Sequence, residues 1–128
     1  MSRSAEYVVE YESSVWFEAE SFAGVRYRLA RVSVNRRIEL ARRIRDIGRK
    51  VEFLEAGDAK EKLEAMVLSS EIERAYVEWG LEAIEGLRID GEDATPALLI
   101  ESGPAGLAAE VLARIKAECG LNVEERKN

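Results

Sequence analysis

Residues 63–87, Leu63-Glu-Ala-Met-Val-Leu-Ser-Ser-Glu-Ile-Glu-Arg-Ala-Tyr-Val-Glu-Trp-Gly-Leu-Glu-Ala-Ile-Glu-Gly-Leu87, decide how the chain is read. Advanced at about 100° per residue, the stretch shows two apolar faces. The first carries Leu63, Met66, Val67, Ser70, Val77, Leu81 and Ile84. The second, on the opposite side, carries Ala65, Leu68, Ile72, Ala75, Tyr76, Trp79 and Ala83. Glu64, Glu71, Glu78 and Glu85 run between them as an acidic stripe. A helix that is apolar on two sides has to be covered on two sides, so the stretch is expected to be a central helix over residues 59–86.

What precedes it pairs with it. Ser33 is placed as the N-cap of a helix over 34–56, with Gly57 as its left-handed terminator. Leu40, Ile44, Ile47, Val51 and Leu54 give that helix a heptad seam. Asp58 and Glu61 then form a capping box for the central helix, and so short a connection predicts an antiparallel helical hairpin. Folding about Gly57 sets Val51 opposite Leu63 and Ile47 opposite Val67. The same register pairs Lys50 with Glu64, Arg43 with Glu71 and Arg36 with Glu78, which gives the acidic stripe a structural role.

Further out, Val15, Phe17 and Ala19, then Val25, Tyr27 and Leu29, alternate with polar or oppositely facing residues around Ser21–Gly24, predicting a β-hairpin over 13–32. Tyr7, Val9 and Tyr11 alternate like a short strand. After the central helix, Asp90-Gly91 predicts a tight turn. Thr95-Pro96 opens a short helix over 96–101, and Pro104 opens a last helix over 104–119 that Gly120 closes. Asn122 to Glu125 reads as one more N-cap start. The fold class is therefore α+β, mainly α: one domain over 1–128, with the β-hairpin packed on the helical hairpin and a C-terminal helix.

Composition excludes more than it assigns. The 128 residues hold no histidine, the commonest metal ligand and general base, and one cysteine, Cys119, which sits on the apolar side of its helix as a core thiol. No phosphate-cradling glycine motif occurs, and the glutamates fall on regular helical faces. The chain reads as a non-enzyme needing no cofactor or metal. No apolar run approaches the ~20 residues of a membrane span, and the N-terminus lacks a signal-peptide core, so a cytoplasmic address is expected.

Charge is sharply segregated. Residues 1–25 hold one Arg and five Glu, residues 26–50 hold ten basic and two acidic residues, and residues 51–128 hold eight basic and eighteen acidic residues. A basic block in a chain of net charge −6 either pairs internally or faces an acidic partner. Arg42, Arg45 and Arg49 lie opposite the heptad seam, and with Arg26, Arg28 and Arg31 they offer a positive surface. They and Trp16, which alternates outward from Phe17, are the candidate partner-binding residues.

Tyr76-Val77-Glu78-Trp79-Gly80-Leu81, Ile84-Glu85-Gly86-Leu87, Ile89-Asp90-Gly91-Glu92 and Ala94-Thr95-Pro96 carry a family resemblance. So do Leu99, Gly103-Pro104, Leu107, Glu110, Ile115, Glu124–Asn128, Gly24-Val25-Arg26-Tyr27 and Arg36-Arg37-Ile38-Glu39-Leu40. Together they resemble the tail assembly chaperones of tailed phages and prophages, from about residue 13 onward. The resemblance implies a non-enzymatic role in tail morphogenesis in the host cytoplasm. Such proteins coat the tape measure protein, recruit tail tube subunits and are absent from the finished virion; many also occur in a frameshift-extended form. Self-association is compatible with that role. A structural tail or connector component, or a nucleic-acid-binding regulator using the arginines, are the alternatives.

Overall fold

The computed structural model describes residues 7–119. Its first regular element is strand β1, Ser14–Glu18, which pairs antiparallel with β2, Arg26–Ala30, setting Phe17 opposite Tyr27 and Trp16 opposite Arg28. Side chains alternate as period two requires: Val25, Tyr27 and Leu29 point into the core, while Arg26 and Arg28 stay partly exposed.

Ser33 caps helix α1, Val34–Glu55, its side chain accepting from Arg36 N at 3.2 Å. The helix ends without the expected left-handed residue: Ala56 is right-handed, and Gly57 N donates to Leu54 O at 3.1 Å. Gly57 is needed for space instead, because a Cβ there would collide with the Glu61 side chain. That side chain is engaged in the capping box that starts α2, Ala59–Gly80: Glu61 N donates to Asp58 Oδ1 at 2.9 Å, and Asp58 N to Glu61 Oε1 at 3.3 Å.

The central helix stops at Gly80 rather than running to 86. Leu81–Glu85 is strand β3, which pairs antiparallel with β2 and completes a three-stranded sheet in the order β1-β2-β3. The spacing Leu81-x-x-Ile84 fits a helix face; it fits one strand face only with the register shift at Arg28–Leu29 that sets Leu81 opposite Leu29 and Ile84 opposite Tyr27. A partner far away in sequence decides between them: the free edge of β2 takes up the backbone groups of 81–85, and Arg26 and Arg28 pair across the ladder with Glu85 and Glu82 at 2.6 and 3.0 Å.

A two-stranded ribbon follows, β4 (Arg88–Ile89) with β5 (Glu92–Asp93), closed by Asp90 and Gly91 with φ of 52° and 83°. Positive φ at both central residues is what a two-residue hairpin demands. Thr95 caps α3, Pro96–Ser102, with Pro96 in its first turn. Helix α4, Ala105–Cys119, then crosses the inner side of the sheet and the C-terminal half of α2. Its contact with α2 is close at Gly80, where a Cβ would lie 2.8 Å from Ile115 Cδ1. Leu107, Val111, Ile115 and the Cys119 thiol are fully buried there with Tyr27 and Leu29.

The fold is thus α+β and mainly α, with the hairpin strands packed on helices as the alternation requires. The helix end expected at Gly120 and the N-cap start expected at Asn122–Glu125 lie outside the described residues. Tyr7–Glu12 is described, and it forms no strand.

The core is unevenly distributed along the helical hairpin. It takes Leu40 from α1 and Tyr76, Val77 and Trp79 from α2, all at the end near the sheet. From Ala41 through Glu64, the far half of the hairpin, no residue is fully buried. That half is two helices with no third layer.

Candidate functional site

Two helices without a third layer cannot cover the outer sides of a two-faced helix. The second face of α2 turns to α1: Leu68 lines a hollow with Leu54, and Trp79 Nε1 donates to Arg36 O at 3.0 Å. The Arg36 guanidinium lies 4.8 Å from the Trp79 ring centroid and donates to the Trp79 carbonyl. The first face is covered by α4 and the sheet only where it passes Val77 and Leu81. Its N-terminal half is bare: Leu63 is 64 % exposed, Met66 66 % and Val67 54 %, and Ser70 beside them is exposed as well.

This corrects the pairing expected about Gly57. Leu63 and Val67 do not face Val51 and Ile47, and the charge pairs shift with them. Arg43 pairs with Glu78 instead of Glu71, Glu71 lies 3.9 Å from Arg74 on its own helix, and Arg36 holds Trp79 rather than Glu78. Charge alternation fits two adjacent helical faces almost equally well. The choice is made by Trp79, whose indole is buried only when the second face meets α1.

The four arginine–tryptophan candidates are dispersed. Arg42 is exposed beside Arg36, Glu39, Arg43, Glu78 and Trp79 in a hollow of about 610 Å³. Arg45 lies 3.5 Å from Asp46. Arg49 lines a second hollow, of about 460 Å³, with Lys50, Phe53, Leu54, Glu64 and Leu68. Arg42 and Arg49 form no ion pair among the described residues. Trp16 is half-buried on the outer face of the sheet, where Arg26 and Arg28 flank it at 4.3 and 5.6 Å from the ring centroid. Arg31 lies 5.9 Å from the Tyr11 ring. The strand arginines are therefore engaged at the sheet, and the exposed positive surface is the outer stripe of α1.

One carboxylate is strongly perturbed. Glu110 on α4 accepts from Ser21 N and Oγ at 2.9 and 2.8 Å, from Tyr27 Oη at 2.7 Å and from Glu20 N at 3.1 Å. Burial raises its pKa, but these donors outweigh burial and hold it at about 2, below the ordinary 4.5. Tyr27 moves the other way, raised well above the usual phenol range by burial and by the adjoining Glu110 charge. With Arg114 Nε at 3.9 Å, the group ties the β1–β2 connection to α4. Every donor is a neighbour of the fold, so the perturbation belongs to a structural clamp. Among the described residues, no group of three or more His, Cys, Asp or Glu is placed to hold a metal ion, and no helix is long and apolar enough to cross a membrane.

No family model, curated protein or solved structure matches the chain. The candidate site therefore rests on geometry: the bare face of α2 at Leu63, Met66 and Val67. Sequence reasoning placed these three in the seam. The signal that could have found them is the size contrast along the helix, since the small Ala65 and Ala75, both buried, mark where another element comes close.

Proposed function

We propose that the chain is a non-enzymatic assembly chaperone of the phage-tail type, acting in the host cytoplasm to cover the apolar stripes of a long helical tape measure protein and bring tail tube subunits to it. The observation that supports this reading most is the bare half of the central helix. Leu63, Met66 and Val67 sit on one helical face at the spacing that receives another amphipathic helix, and nothing in the chain's described residues covers them. Burying each would contribute roughly 1–1.5 kcal/mol, enough for reversible coating when repeated along a partner and too little for a permanent joint at one site. Arg42, which forms no ion pair among the described residues, supplies part of the cationic margin that an acidic or mixed-charge segment would meet. The resemblance in residues 76–96 is independent support for the tail-module assignment.

Co-expression with the tape measure protein encoded beside it tests this. The native chain is expected to keep that protein soluble, and a Leu63→Lys/Met66→Lys variant, still folded by circular dichroism, to leave most of it in the pellet. An Arg42→Ala/Arg45→Ala/Arg49→Ala variant is expected to lose a smaller part of the effect. Equal solubilisation by the Leu63/Met66 variant would overturn the site, and recovery of the chain in finished particles would favour a structural tail component.

A further inference from the structure

Two other surfaces are left uncovered, and they complement each other. The first is the arm that leads into β1. Tyr7, Val8, Val9 and Tyr11 are 68–86 % exposed, without helix or strand pairing, and Glu10 and Glu12 on either side of Tyr11 form no ion pair among the described residues. The second is the hollow of about 460 Å³ at the far end of the helical hairpin, where Phe53, Leu54 and Leu68 form an apolar floor. Arg49 and Lys50 rim it without an ion-pair partner among the described residues, and Glu64 is its one acid.

The arm cannot fill the hollow of its own chain. It is rooted where Arg31 N donates to Ser13 O at 2.7 Å, just before the start of α1. From Val34 to Arg49 the helix rises about 22 Å, and to Phe53 about 28 Å, at 1.5 Å per residue. From Ser13 back to Tyr7 a fully extended chain covers at most about 20 Å, and only about 10 Å to Glu10. On the backbone, the acidic residues that would meet Arg49 and Lys50 therefore stop about 12 Å short within one chain.

We propose that Tyr7–Glu12 of one copy docks in the Phe53–Leu68 hollow of a second copy, with Glu10 and Glu12 against Arg49 and Lys50, and that two copies exchange arms to close a dimer. Each copy holds one arm and one hollow, so reciprocal exchange satisfies both and leaves no open end from which a filament could grow. The hollow lies on a different side of α2 from Leu63, Met66 and Val67, so the dimer does not depend on the chaperone reading and leaves the bare face free.

Sedimentation of the full chain over a concentration series tests the proposal. The native protein is expected to reach twice the 14.3 kDa chain mass. A Glu10→Lys/Glu12→Lys variant and an Arg49→Glu/Lys50→Glu variant should each raise the dimer dissociation constant at least tenfold. Mixing the two reversed variants should restore the dimer as a heterodimer, because each arm then meets a hollow of opposite charge only in the other copy. All four positions are exposed, and restoration on mixing excludes misfolding as the cause of the loss. A chain that stays monomeric at all concentrations overturns the proposal. So does a dimer indifferent to both reversals, or a mixture that stays monomeric.

Discussion

Glu110 is where a single side chain carries most consequence for stability. Its carboxylate is the common acceptor for the β1–β2 loop and for Tyr27 of β2, so its pKa of about 2 in the fold against an ordinary 4.5 is a stability statement. A depressed acid contributes fully above its unfolded pKa and loses that contribution as pH falls through the folded value. The window is therefore pH 4.5 down to about 2. Glu110→Gln is expected to cost about 2–3 kcal/mol at pH 7, since charged hydrogen bonds are among the stronger ones. Urea unfolding at pH 7 and at pH 3 checks it: the gap between native and variant should narrow at the lower pH, and an equal gap would mean the loss is not electrostatic. Trp79 is the apolar counterpart. It is buried, hydrogen-bonded to Arg36 O and stacked by the same arginine, so Trp79→Ala should cost about 3–5 kcal/mol. An unchanged thermal midpoint would contradict that burial.

At the scale of elements, the hairpin register turns on Arg43. A double-mutant cycle with Arg43→Glu and Glu78→Arg should show coupling of about 0.3–1 kcal/mol, the range for exposed pairs, while the same cycle with Glu71→Arg should be additive. Coupling to Glu71 instead would restore the register expected about Gly57. What was legible here was what local chemistry determines: the Ser33 and Thr95 caps, the Asp58–Glu61 box, the Asp90-Gly91 turn and the alternation of β1 and β2. Strand β3 was not, because Leu81 and Ile84 keep a helical spacing, and only pairing with β2 through a register shift at Arg28–Leu29 puts both on one strand face. The bare face was misassigned for a related reason. A helical wheel shows that two faces are apolar but not how far along the helix each is covered, and α4 covers only the Gly80 end.

Across the whole molecule, the same asymmetry separates stability from binding. The core lies where sheet, α4 and the C-terminal half of α2 meet, and the far half of the hairpin adds little to it. The basic block resolves along the same line: Arg26, Arg28, Arg36 and Arg43 are engaged near the core, while Arg42, Arg49 and Lys50 remain outward. Replacing Leu63, Met66 and Val67 together by Ser should therefore change little in the folded state. Exposed substitutions away from the core stay within about ±0.5 kcal/mol each, and Ser is only a slightly weaker helix former than Leu or Met. The unfolding midpoint in urea should move little, and the binding of a dye that reports exposed apolar surface should drop. If these residues instead packed into a third layer, the triple change would cost several kcal/mol by the cavity rule. A small change in stability with a large loss of partner capture is the signature of a surface kept bare for something else to cover, and a collapse of the fold would remove it from the list of binding surfaces.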